Sequence, residues 1–371
     1  MTKTIKRDRC VLTDTDDLTE VYTFKDFPIF CGCVDSESED VLCDMSWSVS
    51  ESSGIIQLNQ LIPLDFLYSV GHNSGNIGKT WREHHKNFSE FIKRGNYKNV
   101  LEIGGATGNL FNNFLTETKY FTWNILEPCS EVKVRDKRLR VHRGFLERYD
   151  FGDEKFDTII HSHVLEHTYN PLEFIEKISD LTVLGGTQYI SIPNMRYALE
   201  MGYMNMLTFE HSYFIDIDFL KCVLARKQFV VDEIVENNHS IFIKATKVDY
   251  TPEFEEYFSS HKELFVNYID KILKDIESIN QSMHSLDNVF LFGGHVWSQY
   301  LLSMGLSKNI VNILDNDVDK QDKRLYGTDL IVKDPKVLYN YTEPKVIIRA
   351  GVYSEEIKAQ LLSINPTTKF L

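Results

Sequence analysis

The sequence predicts an α/β protein whose main part is a mostly parallel sheet covered by helices on both faces. The first observation is that strand-like and helix-like patterns alternate from about Trp81 to Lys247, which is typical of such sheets. The second is a buried strand, Val100–Ile103, that leads directly into a glycine-rich turn and then an apolar helical pattern. The third is a separate strand–turn–helix pattern near the C-terminus, which predicts a second α/β domain.

The length and composition fit a protein of two or three domains. The chain has 371 residues, more than the roughly 250–300 that one hydrophobic core usually serves. A hydrophobic fraction of 43% and an aromatic fraction of 12% are enough to fill several cores. The formal net charge of −14 disfavours binding to a phosphate backbone, so we expect no nucleic-acid partner.

The sequence contains none of the features of a membrane or secreted protein. No apolar run reaches the roughly 18 residues of a membrane-spanning helix, and the first ten residues lack the apolar core of a signal peptide. The six cysteines are scattered, which favours free thiols over a disulfide framework. We therefore expect a soluble cytoplasmic protein with no membrane partner.

Changes of pattern along the chain divide it into three expected domains, 1–80, 81–250 and 251–371. The first is a small β-rich module, with strand-like pieces at Glu20–Phe24 and Gly54–Leu58. The second is the alternating core, which begins with an amphipathic helix over Trp81–Arg94. The third opens with a helical connector over 252–285.

The remainder of the third domain has a Rossmann-like pattern. Strands are predicted at Asn288–Phe292, Ile310–Leu314 and Lys345–Ala350, with a helix over Trp297–Met304. The turn after the first strand lacks a complete GxGxxG sequence, so we expect no full dinucleotide site. The residues at predicted strand ends that are candidates to contact a nucleotide are Gly293, Asp315 and Arg349.

The glycine turn of the core carries the most specific motif. Its spacing is Glu-x-Gly-x-x-x-Gly, formed by Glu102, Gly104 and Gly108. A dinucleotide fingerprint placed on Gly105 and Gly108 would need glycine where Ile103 stands, so that interpretation fails. The segment resembles motif I of class I S-adenosylmethionine (SAM) methyltransferases.

Three later segments extend this resemblance over about 150 residues of the chain. Glu127 ends the next predicted strand, where a carboxylate can accept hydrogen bonds from both ribose hydroxyls. The segments 156–171 (FDTIIHSHVLEHTYNP) and 181–193 (LTVLGGTQYISIP) are similar to the later motifs of these enzymes. The core is therefore identified as a class I methyltransferase domain.

This resemblance implies a set of SAM contacts. The turn containing Glu102, Gly104, Gly105 and Gly108 would hold the methionine end, with Glu102 near the ammonium group. Glu127 would bind the ribose, Phe145 or Leu146 would pack on the adenine, and the His163 backbone would border the sulfonium. Because the methyl group of SAM is already activated, the protein has to align it and generate the nucleophile.

The three-part order resembles bacterial C-methyltransferases that act on nucleotide-linked 4-keto-deoxysugars. The stretches that carry this resemblance are 68–75 (YSVGHNSG), 209–214 (FEHSYF) and 314–321 (LDNDVDKQ). The resemblance implies a SAM cofactor, a nucleotide-sugar substrate, an N-terminal zinc module and a Rossmann-like C-terminal domain.

The sequence departs from this family at two sites. The family's Tyr-Asp-Glu-His motif falls on Thr208, Phe209, Glu210 and His211, so its tyrosine and aspartate are replaced. One of the two CxxC pairs of the zinc module falls on Ser50 and Ser53. We therefore expect no metal ligands, with a site from Cys10, Cys31, Cys33 and Cys43 as the alternative.

His211 is the candidate catalytic base, oriented by Glu210. A base must remove the proton next to the ketone to give an enolate, and imidazole titrates near neutral pH. Tyr68 and His72 are further candidates to contact the sugar or its oxyanion. We expect His163 and His167 to serve packing or capping.

Three other functions stay open at this stage. SAM-dependent O- or N-methylation of another sugar or small metabolite needs the same donor site, and His211 could equally deprotonate a hydroxyl. A nucleotide-dependent oxidoreductase would use the C-terminal domain, and a binding module would hold SAM without turnover. The sequence leaves the sugar, the nucleotide, the methylated atom and the oligomeric state open.

Overall fold

The computed structural model describes residues 4–68 and 79–371. The N-terminal segment is β-rich, as predicted. Its elements are β1 (Ile5–Lys6), β2 (Leu18–Pro28), β3 (Cys33–Val34), β4 (Leu42–Ser50), β5 (Ile56–Leu58), β6 (Gln60–Leu61) and α1 (Leu64–Leu67). Strands β2, β4 and β5 form an antiparallel sheet, and β1 pairs with β6.

The middle of the chain forms a seven-stranded sheet with flanking helices. Its elements are α2 (Lys79–Lys93), β7 (Asn99–Ile103), α3 (Asn109–Asn112), β8 (Thr122–Leu126), β9 (Leu139–His142), β10 (Phe156–Ser162), α4 (Pro171–Leu181), β11 (Thr182–Pro193), α5 (Met195–Met201), α6 (Ile217–Arg226), β12 (Phe229–Glu236) and β13 (Ser240–Lys247). The strand order in the sheet is β12-β13-β11-β10-β7-β8-β9. The strands from β7 to β11 pair in parallel, whereas β13 is antiparallel to both of its neighbours. This arrangement is the class I methyltransferase fold, which confirms the predicted core.

The C-terminal part contains a second sheet, which is fully parallel. Its elements are α7 (Ser259–Met283), β14 (Val289–Phe292), α8 (Val296–Ser303), β15 (Ile313–Leu314), β16 (Arg324–Leu325), β17 (Val332–Lys333), β18 (Lys345–Ile348), α9 (Ser354–Ile364) and β19 (Lys369–Phe370). The strand order in this sheet is β17-β15-β14-β18-β19. Strand β16 pairs with β3, so this part is joined to the N-terminal segment by backbone hydrogen bonds.

Several elements differ in length from the sequence-based expectation. Helix α3 ends at Asn112, and turns follow it, although the apolar pattern suggested a longer helix. The connector helix α7 begins only at Ser259. The strand predicted over 310–314 contains only Ile313–Leu314, although Val311 also donates its N–H to Val289 O of β14 at 2.8 Å. The local pattern thus predicted the existence of these elements better than their ends.

The flanking helices are fixed by side-chain caps and by apolar packing. Asn170 caps α4 by accepting the Glu173 N–H at 3.2 Å, and Pro171 occupies the first turn. Trp47 of β4 is fully buried and packs against Phe265 of α7, with ring centroids 5.8 Å apart. Among the described residues, no helix combines the length and the apolar character needed to cross a lipid bilayer.

Asp216 is a buried ionic centre that joins three helices. Its carboxylate caps α6 by accepting the Phe219 N–H at 3.0 Å. It also lies 2.6 Å from Arg196 Nη2 of α5 and 3.0 Å from His261 Nε2 of α7. Burial opposes ionisation, but the hydrogen bond and charge of His261, with the other donors, lower the Asp216 pKa to about 2.

We expect Asp216→Asn to destabilise the protein by about 3 kcal/mol, because it keeps the cap but removes the buried charge that pairs with Arg196 and lies beside His261. The loss should be visible as a lower thermal unfolding midpoint at pH 7. Because the folded pKa is depressed, this contribution is present above pH 4 and is lost as the pH falls towards 2. Asp218→Asn, an exposed position in the same helix turn, is the matched control. Equal midpoints for the two variants would contradict this account.

Candidate active site

The candidate SAM site lies at the carboxyl edge of the seven-stranded sheet, between β7 and β10. The chain leaves β7 towards one face and returns to β10 from the other, so a crevice opens at this point. The glycine loop, residues 104–108, follows β7 and lines the crevice. The segment 163–167 follows β10 beside it.

Close packing explains the glycines of this loop. Gly104 has a φ of 77°, and a Cβ added there would lie 2.4 Å from Val164 Cγ2. A Cβ on Gly105 would lie 2.7 Å from Ile125 Cγ2. Gly108, with a φ of 78°, starts the short helix α3 in a conformation that other residues rarely adopt. The loop backbone is therefore held close to the sheet and stays open to a ligand.

Glu102 is a buried carboxylate beneath the glycine loop. It is 5% exposed, and it accepts the indole N–H of Trp123 at 2.7 Å. Burial raises its pKa to about 7, even though the Trp123 hydrogen bond favours the ionised form. A cationic ligand group at this position would favour the carboxylate, as the ammonium group of SAM would.

Glu127 holds the glycine loop in place. It follows β8, and its two oxygens accept the N–H of Ala106 at 3.2 Å and the N–H of Cys129 at 3.0 Å. Ala106 has an uncommon positive φ of 39°. The carboxylate that was predicted to bind ribose therefore also fixes the loop that was predicted to bind the methionine end.

The other predicted cofactor residues lie in different surroundings. Leu146 is buried in the turn after β9, whereas Phe145 is half-buried, with the Arg148 guanidinium 6.0 Å from its ring centroid. Phe145 is thus the better placed of the two to contact an adenine. His163 follows β10 with a φ of 53° and donates its backbone N–H to Ser191 O at 2.9 Å.

The side chain of His163 joins a group that the sequence did not reveal. Its Nε2 lies 2.9 Å from Ser240 Oγ, and its ring centroid is 4.9 Å from that of Trp81. His84 of α2 and His239, between β12 and β13, pack around the same residues. We call His84, His163 and His239 the histidine cluster.

A second group, the acceptor cluster, adjoins the SAM crevice and consists of Tyr68, Glu166, His167, Glu210 and His211. The ring centroids of His167 and His211 are 5.0 Å apart, and those of Tyr68 and His167 are 6.5 Å apart. His167 Nδ1 lies 4.0 Å from Glu210 Oε2. His72, the remaining catalytic candidate, lies outside the described residues.

The structure thus groups His167 with the candidates that the sequence did indicate. The sequence pattern suggested a packing role, but a short 3-10 helix at 165–167 directs the ring towards His211. Glu166, next to it, is fully buried. The sequence signal that could have identified Glu166 and His167 is the presence of a glutamate and a histidine shortly after a buried strand.

Burial controls the charges of the acceptor cluster. It raises the pKa of Glu166, and it lowers the pKa of His167 to about 4 against the opposing effect of the Glu166 charge. Burial, followed by the nearby charge of Glu210, also raises the pKa of Tyr68. His167 is therefore a neutral imidazole and Tyr68 a neutral phenol near pH 7.

His211 is oriented by a backbone carbonyl. Its Nδ1 lies 2.6 Å from Met206 O, in the same loop. Glu210, which was predicted to orient it, has a carboxylate oxygen 4.0 Å from His167 Nδ1. The sequence gave no signal for the Met206 contact, because a carbonyl oxygen is present at every residue.

Two side predictions concern the N-terminal cysteines and Arg349. Among the described residues, none of Cys10, Cys31, Cys33 and Cys43 belongs to a group of three or more side chains whose ligand atoms lie close enough to share a metal ion. Cys10 Sγ lies 3.3 Å from Ser53 Oγ, and Cys33 Sγ lies 3.3 Å from the Gly294 carbonyl oxygen. Arg349 was named as a candidate to contact a nucleotide. It forms two contacts with Asp275, at 2.6 and 2.8 Å.

Comparison with known proteins identifies the domain in the middle of the chain. Residues 76–234 match the family model described as a methyltransferase domain. A search of curated proteins finds no significant match.

Solved structures similar to this chain include three methyltransferases. One, from Listeria monocytogenes, is described as S-adenosylmethionine-dependent; it is 12% identical, with 46% of this chain and 100% of that chain covered and a TM-score of 0.39. One from Clostridium acetobutylicum is 13% identical, with 44% of this chain and 92% of that chain covered and a TM-score of 0.36. The N-methyltransferase NodS from Bradyrhizobium japonicum is 12% identical, with 47% of this chain and 99% of that chain covered and a TM-score of 0.36. These scores are low, so the assignment rests on the domain match and the sheet topology.

The middle of the chain is thus a methyltransferase domain of the class I fold. The protein is a SAM-dependent methyltransferase, and its cofactor is SAM.

We expect Gly104→Ala to weaken binding of S-adenosylhomocysteine by about tenfold or more, because the new methyl group must displace Val164 and the glycine loop. Isothermal titration calorimetry measures the effect. Gly185→Ala is the matched control, since Gly185 has a φ of 75° with no atom within 4 Å of an added Cβ. Similar affinities for the two variants would show that the Gly104 contact does not shape the site.

The raised pKa of Glu102 predicts pH-dependent cofactor binding. Only the ionised carboxylate pairs with an ammonium group, so S-adenosylhomocysteine should bind roughly five to ten times more tightly at pH 7.5 than at pH 6. Glu102→Gln should flatten this dependence while remaining folded, since its amide oxygen can still accept from Trp123. A steep profile that persists in Glu102→Gln would assign the titration to another group.

Proposed function

We propose that the enzyme transfers the methyl group of SAM to a carbon atom of a nucleotide-linked keto-deoxysugar, through an enolate that His211 generates. The contact between His211 Nδ1 and Met206 O carries this proposal. A carbonyl oxygen only accepts hydrogen bonds, so Nδ1 must hold the imidazole proton. Nε2 is then the unprotonated nitrogen and can act as the base.

The proposed reaction has two steps. Nε2 of His211 first removes a proton from the carbon beside the ketone, and the electron pair of the C–H bond moves into the enolate. The enolate carbon then attacks the methyl group, and the electron pair of the methyl–sulfur bond returns to sulfur, giving S-adenosylhomocysteine. The products are the methylated ketone and protonated His211, which releases its proton to solvent before the next turnover.

The rest of the acceptor cluster suits this chemistry. A neutral Tyr68 phenol can donate a hydrogen bond to the developing enolate oxygen, as in other oxyanion sites. The carboxylate of Glu210, beside His167, adds negative charge close to the imidazolium that forms on His211. Phe209, in contrast, is 1% exposed and packs near Phe27, so its side chain is part of the core.

We assign the cofactor contacts as follows. The glycine loop and Glu102 hold the methionine end, and Glu127 binds the ribose while it fixes Ala106. Phe145 packs on the adenine, and Leu146 supports it from the core. The sulfonium lies beside the His163 backbone, next to the acceptor cluster. The crevice between β7 and β10 supports these proposed contacts.

The position of the acceptor cluster supports a large, composite substrate. The charge of Glu210 acts on Cys31 of the N-terminal segment and on His295 of the C-terminal unit, so both segments approach it. Sites between domains commonly bind such ligands. In this proposal the domains are 1–80, 81–250 and 251–371, and the last contributes nucleotide contacts. Free thiols at all six cysteines favour a cytoplasmic location.

Deuterium exchange tests the role of His211. In D₂O with S-adenosylhomocysteine and a nucleotide-linked 4-keto-6-deoxysugar, the enzyme should exchange the proton beside the ketone. His211→Asn should slow this exchange, and methyl transfer from labelled SAM, about a hundredfold, because it removes the base. Affinity for S-adenosylhomocysteine should stay within twofold.

His284→Asn, at the exposed end of α7, is the control and should behave as the unsubstituted enzyme. Exchange that survives His211→Asn but is lost in His167→Asn would move the base to His167. A product methylated on oxygen or nitrogen, found by mass spectrometry and NMR, would replace the enolate route with the alternative of O- or N-methylation.

A further inference from the structure

Three histidines from separate elements direct ring nitrogens at one point. His84 belongs to α2, His163 follows β10 and His239 precedes β13. One nitrogen from each ring lies within 4.8 Å of the other two. All three meet Ser240 Oγ, at 3.2 Å from His84 Nδ1, 2.9 Å from His163 Nε2 and 2.6 Å from His239 Nδ1.

Ser240 is an unusual focus for three imidazoles. A hydroxyl donates one hydrogen bond and accepts two, so three rings use all of its capacity. The three rings therefore converge on one buried hydroxyl.

The outer nitrogens of two rings are held as in metal sites. His163 Nδ1 lies 3.1 Å from a carboxylate oxygen of Glu166, and His84 Nε2 lies 2.9 Å from Ser162 Oγ. A metal-binding histidine nearly always has its second nitrogen bonded to a carboxylate or another oxygen, which fixes the ring orientation. The histidine cluster thus has converging nitrogens and, on His84, a hydrogen-bonded outer nitrogen, whereas the Glu166 carboxylate lies close to His163 without a well-formed hydrogen bond.

The surroundings of the cluster favour a cation. Glu166 is fully buried, and neither of its oxygens has a well-formed hydrogen bond among the described residues. A positive charge on the far side of His163 would compensate this carboxylate through the ring. Trp81 covers the cluster, with its ring centroid 4.9 to 5.2 Å from those of the three histidines.

We propose that His84, His163 and His239 bind a divalent late first-row metal ion, with zinc the preferred ion and Ser240 Oγ the fourth donor. Zinc–nitrogen bonds of about 2.1 Å place tetrahedral ligands about 3.4 Å apart, so each ring must move inwards by about 1 Å or less. Ser240 Oγ now lies 2.6 to 3.2 Å from all three nitrogens, so its side chain must at the same time rotate away from the centre to take the fourth position. The ion would join α2 to the edge of the sheet.

The location of this site links it to the acceptor cluster. Glu166 contacts His163 and is followed in sequence by His167. Metal binding itself does not depend on the proposed sugar substrate, so the two proposals can fail separately.

Metal titration of the full-length, tag-free protein tests the proposal. After dialysis against a chelator, we expect calorimetry with zinc chloride to show one ion per chain with a micromolar or lower Kd. His239→Asn, at a half-buried position, should weaken binding at least about thirtyfold, and zinc should no longer raise its thermal unfolding midpoint. His284→Asn, which is exposed, should bind as the unsubstituted protein does.

Cobalt(II) and a second variant identify the ligands. Cobalt bound to three imidazoles and an oxygen gives a d–d spectrum without a sulfur charge-transfer band, so such a band would place the ion at a cysteine and overturn the proposal. Glu166, His167 and His211 also have ligand atoms close together. If His211→Asn abolishes binding while His239→Asn does not, the ion belongs there and the histidine cluster is not its site.

Discussion

The close approach of Gly104 to Val164 is the constraint on which the site depends. The contact leaves no room for a side chain on Gly104, and it fixes the loop after β7 against the segment after β10. The first loop carries the expected cofactor contacts, and the second carries Glu166 and His167. Because both segments leave adjacent parallel strands, a single tight contact sets the distance between methyl donor and acceptor.

Burial without charge compensation is the second common feature of the site. Glu102 and Glu166 are buried carboxylates with raised pKa values, and the imidazoles of His163 and His167 are held neutral. Such a site stores electrostatic free energy that a bound cation recovers. The ammonium group of SAM, an imidazolium formed during proton transfer and a metal ion are three cations of this kind, each next to a different carboxylate or imidazole.

The sequence predicted the parts of the site that depend on local geometry. Glu102, Gly104 and Glu127 follow from a strand, a turn and the next strand, so spacing was sufficient to place them. The histidine cluster could not be predicted, because His84 and His239 lie far apart in sequence and meet only when α2 packs across the start of β13. The sequence pattern around His167 looks helical and predicted a packing role. Such a pattern does not specify the direction in which the side chains of one short helical turn point.

The flanking segments complete the acceptor cluster, which explains why a methyltransferase core alone is not sufficient here. Arg7 of the N-terminal segment donates to Tyr169 O at 2.6 Å and to Ser212 O at 3.0 Å, and so bridges the segments that carry His167 and His211. Tyr300 of α8 donates to Leu207 O at 2.6 Å, one residue from the carbonyl that orients His211. The proposed base, His211, thus lies in a loop that all three parts of the chain contact, so in this proposal acceptor specificity resides in their mutual packing, whereas the proposed cofactor contacts belong to the sheet and the loops that follow its strands.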